Sequence, residues 1–167
     1  MRTGGVVVMG VWRLLVKLSE HFFLAPLYCP RMAPFRTTFI VRFGDVDSAG
    51  IVYYPRYTHY FHIGMERFFQ EALGIDYADL VAGQQFGLPI VRLETDFYSP
   101  LRYGDRVEME ISIGRIGTTS VEWFYTLRRQ ADGEKVASAR TVTVATDLEA
   151  LVKLEVPDWL RTGLEGH

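Results

Sequence analysis

Asp45 and Asp47 lie in the chemically densest stretch of this 167-residue chain, Phe43-Gly44-Asp45-Val46-Asp47-Ser48-Ala49-Gly50-Ile51-Val52-Tyr53-Tyr54-Pro55. Glycines and small residues make the stretch a loop, and a helical pattern starts directly behind it. Backbone N–H groups at a helix start are unpaired donors in a positive local field. Such donors can hold a developing oxyanion. A carboxylate beside them can attack an acyl carbon, or deprotonate a water that does so. The combination suits acyl transfer without a metal or a cofactor. Asp also caps turns, so the same two residues fit a purely structural role.

Other chemistries find less material. His59 and His62 are three apart, but a metal site needs further convergent ligands and only His21 and His167 remain among the histidines. No metal is expected. Ser48 has none of the surroundings of a nucleophile elbow. The single cysteine, Cys29, excludes an intrachain disulfide and points to a reducing compartment, hence a cytoplasmic protein. Glu66 is a second candidate carboxylate. Arg115, Arg128, Arg129 and Arg140 are available for phosphates, although solvated strand edges account for them better.

The elements that must position these residues are legible from periodicity. Phe39, Val41 and Phe43 share one face of a first strand. Tyr57, Tyr60, Phe61, Gly64, Met65, Phe68, Phe69, Ala72 and Leu73 recur at helical spacing and form one broad apolar face, stopped by Gly74. A short helical turn is expected around Tyr77 to Val81. The period then changes to two. Val91, Leu93, Thr95 and Phe97 alternate with charged residues, and Val107, Met109, Ile111 and Ile113 alternate with Arg106, Glu108, Glu110 and Ser112. Val121, Trp123, Tyr125 and Leu127 follow, Asp132-Gly133 reads as a hairpin turn, and Val136 to Thr146 reads as the last long strand. Pro157 marks a final helix start. Short turns require antiparallel neighbours. The expected fold is therefore α+β, a five-stranded antiparallel sheet wrapped around the helix Tyr57 to Leu73.

Composition agrees with one globular domain: 49% hydrophobic and 23% charged residues, net charge −2. That balance argues against nucleic-acid binding. The apolar N-terminal tract has no unbroken run long enough for a membrane span, so no stable membrane insertion is expected. Residues 1–34 are read as an extension and residues 35–167 as the domain. An added helix or a targeting signal are the other readings of the extension, and Met9 or Met32 are alternative starts.

The run Phe43 to Tyr57 resembles the signature of the 4-hydroxybenzoyl-CoA thioesterase family of hotdog-fold enzymes. Pro100-Leu101-Arg102-Tyr103-Gly104-Asp105 and the strand pattern extend the similarity over about Phe35 to Trp159. The resemblance implies an acyl-CoA thioesterase that works as a homodimer, or a dimer of dimers, without cofactor. It implies Asp47 as nucleophile or general base, and the Tyr54 backbone N–H as the group that polarises the thioester carbonyl. Asp45 would order the loop. Gly50, Ile51, Val52, Tyr53 and His62 would meet the substrate, with Gly50 allowing close approach. His62 stands where the family's aromatic-acyl enzyme has an acid. Gly117-Thr118-Thr119 stands where that enzyme has a basic cluster. An acyl-carrier-protein thioesterase and a non-catalytic acyl-CoA-binding module are the alternatives. A hotdog dehydratase is disfavoured, since no His occurs between Phe22 and Thr58.

Overall fold

The computed structural model describes residues 34–165 and 167. The expected extension, with Cys29 and Met32, lies outside the described residues except for Pro34.

The chain runs through β1 (Phe35–Ile40), a 3-10 turn (Phe43–Asp45) and α1 (Pro55–Arg67), which continues as a π turn (Phe68–Ala72). A second π turn (Asp79–Gly83), β2 (Phe86–Gly87) and β3 (Ile90–Phe97) follow. Then come β4 (Arg106–Ile116), β5 (Ser120–Arg129), β6 (Lys135–Val144), β7 (Thr146–Asp147), β8 (Val152–Lys153) and α2 (Asp158–Glu165). Five strands form one antiparallel sheet in the order β1-β4-β5-β6-β3. This is the hotdog fold read from the sequence, with α1 as its filling.

Alternation decides which face of the sheet is wet. Val107, Met109 and Ile111 of β4 and Val121, Trp123, Tyr125 and Leu127 of β5 are buried. Against them α1 lays Tyr57, Tyr60, Phe61 and Met65, with Phe68 following in the π turn. Burying each such side chain contributes roughly 1.5–3 kcal/mol. The Trp123 indole N–H finds Thr143 Oγ1 at 2.9 Å, which satisfies the polar end of the largest core residue. Helix and sheet approach closely at Gly64, where an added Cβ would lie 2.3 Å from Met109 Sδ.

The helix begins at Pro55, two residues before the expected start, because proline is well tolerated at the first helical position, where its missing N–H has no intrahelical partner to lose. It ends in wider π turns before Gly74, whose φ of +69° closes it. The expected last strand, Val136 to Thr146, instead breaks after Val144. Thr146–Asp147 then joins a small three-stranded sheet, β2-β7-β8, that the sequence did not announce. Val91 and Leu93, expected on a covered face, are 63% and 41% exposed. Their strand β3 is an edge, and one neighbour cannot cover both its flanks.

Candidate active site

The loop between β1 and α1 folds as a tight hairpin. Val46 bridges Val52. The Asp47 N–H donates to the Ile51 carbonyl and the Tyr53 N–H to the Asp45 carbonyl, both at 2.9 Å. The turn is closed by the Gly50 N–H on the Asp47 carbonyl at 2.9 Å. Asp at the first position and Gly at the last are what such a turn favours. Gly50 has φ +74°. Its role is this left-handed conformation; a Cβ there would meet nothing closer than Arg102 Nη1 at 3.8 Å. The loop is pinned to the body by the Val52 N–H on the Leu101 carbonyl at 2.9 Å.

The two carboxylates part company. Asp45 is buried. It accepts the Arg42 N–H at 2.8 Å and faces Arg56 Nε at 3.6 Å, so it holds the loop in place. Asp47 is exposed. One of its oxygens accepts the Ala49 N–H at 2.8 Å; no other side-chain contact holds it among the described residues.

Asp47 opens onto a cavity of about 230 Å³ walled by Ile51, Val52, Tyr54, Tyr57, Phe97 and Pro100. Tyr54 caps the N-terminus of α1. Its N–H has no hydrogen-bond partner among the described residues, and Pro55 behind it has no N–H at all. A single unengaged amide thus stands at the positive end of the helix dipole. The Tyr57 ring meets Phe97 edge-on at 5.0 Å between centroids. Burial pushes the Tyr57 phenol up to about 12, with the Leu101 backbone and Arg129 drawing it partly back, so it is a neutral part of the cavity wall.

Of the residues singled out in the sequence, Asp47, Ile51, Val52 and Tyr54 meet around this cavity. Gly50 and Tyr53 are not among its lining residues; Tyr53 is 49% exposed and packs on Tyr54. Within one chain His62 stands apart, in a groove on the outer side of α1. There it contacts Glu66 at 3.2 Å and the Tyr77 ring, so Glu66 does not face Asp47 either. Phe97 and Pro100 are walls that sequence reasoning did not single out. The one signal was the Pro100 to Asp105 motif.

Residues 41–164 match the family model described as the Thioesterase-like superfamily. The chain belongs to that superfamily. The match is broader than the 4-hydroxybenzoyl-CoA family resembled by the loop. Among its relatives, a 1,4-dihydroxy-2-naphthoyl-CoA hydrolase of Thermosynechococcus vestitus is 30% identical over 129 residues, 75% of this chain and 87% of the relative. A protein of the same name from Crocosphaera subtropica is 29% identical over 127 residues, 73% and 92% of the two chains. A solved gentisyl-coenzyme A thioesterase superposes with TM-score 0.70 at 30% identity, covering 76% of this chain and 99% of that one. Among the described residues, no helix is long and apolar enough to cross a membrane.

Proposed function

We propose that this acyl-CoA thioesterase hydrolyses the thioester of a compact aromatic acyl group, with Asp47 as its catalytic carboxylate. The observation that carries the reading is the convergence of Asp47 and the unengaged Tyr54 N–H on one small cavity. The acyl ring enters the cavity, and the thioester carbonyl oxygen takes the Tyr54 N–H. As charge develops on that oxygen, a donor already aimed at it costs no reorganisation. Asp47 deprotonates a water, or attacks the carbonyl carbon itself. The C–S bond breaks, the coenzyme A thiolate leaves and takes a proton, and the free acid follows. The scheme uses no metal and no cofactor.

Size and lining support the acyl class. A cavity of about 230 Å³ falls below the roughly 300–1,000 Å³ usual for drug-sized ligands. Three aromatic residues, Tyr54, Tyr57 and Phe97, suit a ring better than a long flexible chain. The names of the relatives, dihydroxynaphthoyl and gentisyl, are both hydroxylated aromatics.

The same proposal includes a second copy of the chain. The free edge of β3 carries Ile90, Val91 and Leu93 at 48%, 63% and 41% exposure, and long apolar edges are rarely left unpaired. Phe97 on that strand walls the cavity, so pairing of β3 with its counterpart would complete the site in a homodimer. Two such dimers can stack further. We place the enzyme in the cytoplasm, in keeping with its single cysteine and a coenzyme A substrate.

The test is kcat/KM across benzoyl-, hydroxybenzoyl- and naphthoyl-CoA against acetyl-, butyryl- and palmitoyl-CoA. The aromatic esters should lead by tenfold or more. A preference for palmitoyl-CoA, or no turnover of any ester, would defeat the reading.

A further inference from the structure

On the β1 side of α1, away from β3, lies a second cavity of about 400 Å³ with a different chemistry. Arg42, Arg67, Arg106 and His59 line it, and Asp45 is its only acid among the described residues. Three guanidiniums therefore face one carboxylate. That carboxylate is already engaged, by the Arg42 N–H and by Arg56. Arg67 is held in place by neutral acceptors, Thr37 Oγ1 at 2.8 Å and the Thr38 carbonyl at 2.6 Å, so its charge is oriented but not neutralised. Arg42 and Arg106 make no ion pair among the described residues. The next carboxylates along β4, Glu108 and Glu110, lie 3.9 and 3.0 Å from Arg36.

The register explains the cluster. Ile40 sits opposite Arg106. The Val41 N–H donates to the Asp105 carbonyl at 2.9 Å, which sets Arg42 beside the start of β4. Arg67 arrives from the end of α1, three turns beyond its first residues. The cavity also holds a buried donor. Tyr60 is 4% exposed, and its hydroxyl lies beside the Asp45 carboxylate with no hydrogen bond of ordinary geometry among the described residues. Burial and the neighbouring Asp45 carboxylate raise its phenol well above the usual range, so the hydroxyl keeps its proton. A concave site with excess guanidinium and a spare O–H donor matches the oxygens of phosphate, which arginine grips in bidentate fashion.

We propose that the cleft between β1 and α1, built on Arg42, Arg67, Arg106 and the Tyr60 hydroxyl, binds phosphate groups. Two sources share this chemistry: the nucleotide end of the coenzyme A substrate, and a free phosphorylated metabolite. The substrate source is close at hand, since Asp45 and Asp47 border the two cavities from one loop and the Tyr57 and Tyr60 rings touch at 6.0 Å between centroids. Phosphate binding itself does not rest on the thioesterase reading; its assignment to the substrate does.

The experiment uses the full chain at about 0.15 M salt, where the Debye length is near 8 Å and diffuse attraction is screened. Calorimetry measures binding of adenosine 3′,5′-bisphosphate and of pyrophosphate to the wild type, to the double variant Arg42→Gln/Arg106→Gln, and to Arg115→Gln. Arg42 and Arg106 are exposed, so the double variant should fold, and a thermal melt checks it. The wild type should bind at least one probe, and the double variant tenfold or more weakly. Kinetics on one acyl group, carried by coenzyme A and by pantetheine, then separate the sources. A rise in KM of tenfold for the CoA ester alone assigns the phosphate to the substrate. Unchanged KM for both esters, with probe binding lost, assigns it to a free metabolite. Absence of binding to the wild type, equal binding to the double variant, or a loss carried by Arg115→Gln at the β4–β5 turn overturns the proposal. If neither ester is hydrolysed, the thioesterase reading fails while the probe result still stands.

Discussion

The Ala49 N–H donates to Asp47 Oδ1 at 2.8 Å, and that one bond holds the carboxylate where Asp47 lines the cavity. Asp47→Asn keeps the acceptor for Ala49 and the size of the side chain. It removes the charge that attacks or takes a proton. We expect kcat to fall by about 10²-fold or more, the scale of acid–base or covalent assistance. KM for the CoA ester and the melting temperature should move little. Asp45→Asn should behave in the opposite way. It takes the charge from the buried acceptor of the Arg42 N–H and leaves the half-exposed Arg56 without its carboxylate, so stability falls by about 1–3 kcal/mol with a smaller loss of kcat per folded molecule. Steady-state kinetics with melts on both variants decide this. Near wild-type kcat for Asp47→Asn sinks the assignment.

The parts of this molecule that read from sequence are those with a long period. Eight alternating apolar positions in β4 and β5, and four turns of helical spacing before them, are repeated signals, and the sheet and helix followed. The small sheet β2-β7-β8 is made of two-residue strands, too short to have a period. Alternation also says nothing about position in the sheet, which is why Val91 and Leu93 read as covered. At the site, Asp47, Ile51, Val52 and Tyr54 are close in sequence and fold together through one hairpin. Phe97 and Pro100 reach the same cavity from the far edge strand, a contact that only the fold determines. His62 was placed by analogy with the helix position of a resembled family; in one chain its side chain instead pairs with Glu66 one turn on.

Gly64 sets the distance between α1 and β4. Gly64→Ala gains up to about 1 kcal/mol of helix propensity. It also drives a methyl toward Met109 Sδ and Ile111 Cδ1, at 2.3 and 3.1 Å before relaxation. Overpacking of a filled core costs roughly 1–3 kcal/mol, so a net loss is expected. Met109→Ala alone should also destabilise. In the double variant the two costs should sum to less than their separate values, because Met109 is the main obstacle. Urea denaturation of the four proteins gives the coupling; strict additivity would remove Met109 from the account.

Alkaline stability should report the buried phenols. Tyr57 titrates at about 12 in the folded chain against 10.0 for the free side chain. A group raised on folding contributes fully below its unfolded pKa, and that contribution is lost as pH climbs through the folded value. Between pH 10 and 12 Tyr57 alone accounts for about 2–3 kcal/mol. Tyr60, Tyr77 and Tyr125 are shifted in the same direction, chiefly by burial. Stability from urea melts should therefore drop steeply above pH 10, and less steeply in Tyr57→Phe. An unchanged slope in that variant would contradict the burial argument.

The β3 edge gives a prediction about assembly. Light scattering of the wild type at micromolar concentration should return at least twice the chain mass. Val91→Lys/Leu93→Lys puts two charges on the exposed apolar edge, the device natural edges use against pairing. The double variant should be monomeric, keep its fold, and lose activity in proportion, since Phe97 on the same strand walls the cavity. A monomeric wild type with full activity would end the dimer proposal.

The final prediction isolates a backbone atom. The assignment of Tyr54 concerns its N–H and not its phenol, which is 65% exposed with the rest of the residue. Two substitutions separate them. Tyr54→Ala removes the ring and keeps the amide, so kcat should stay within a few-fold of wild type, with KM raised by the lost wall. Tyr54→Pro removes the amide proton. The native φ at this position is −50°, close to the value near −65° that proline imposes, so the helix start can be retained. Loss of one oxyanion donor typically lowers kcat by about 10²–10³-fold. The proline variant should show that loss beyond whatever the alanine variant shows. Circular dichroism and a thermal melt establish that α1 still forms. If a well-folded Tyr54→Pro protein turns over like Tyr54→Ala, the carbonyl is polarised by some other donor, and the Tyr54 amide has no part in the chemistry.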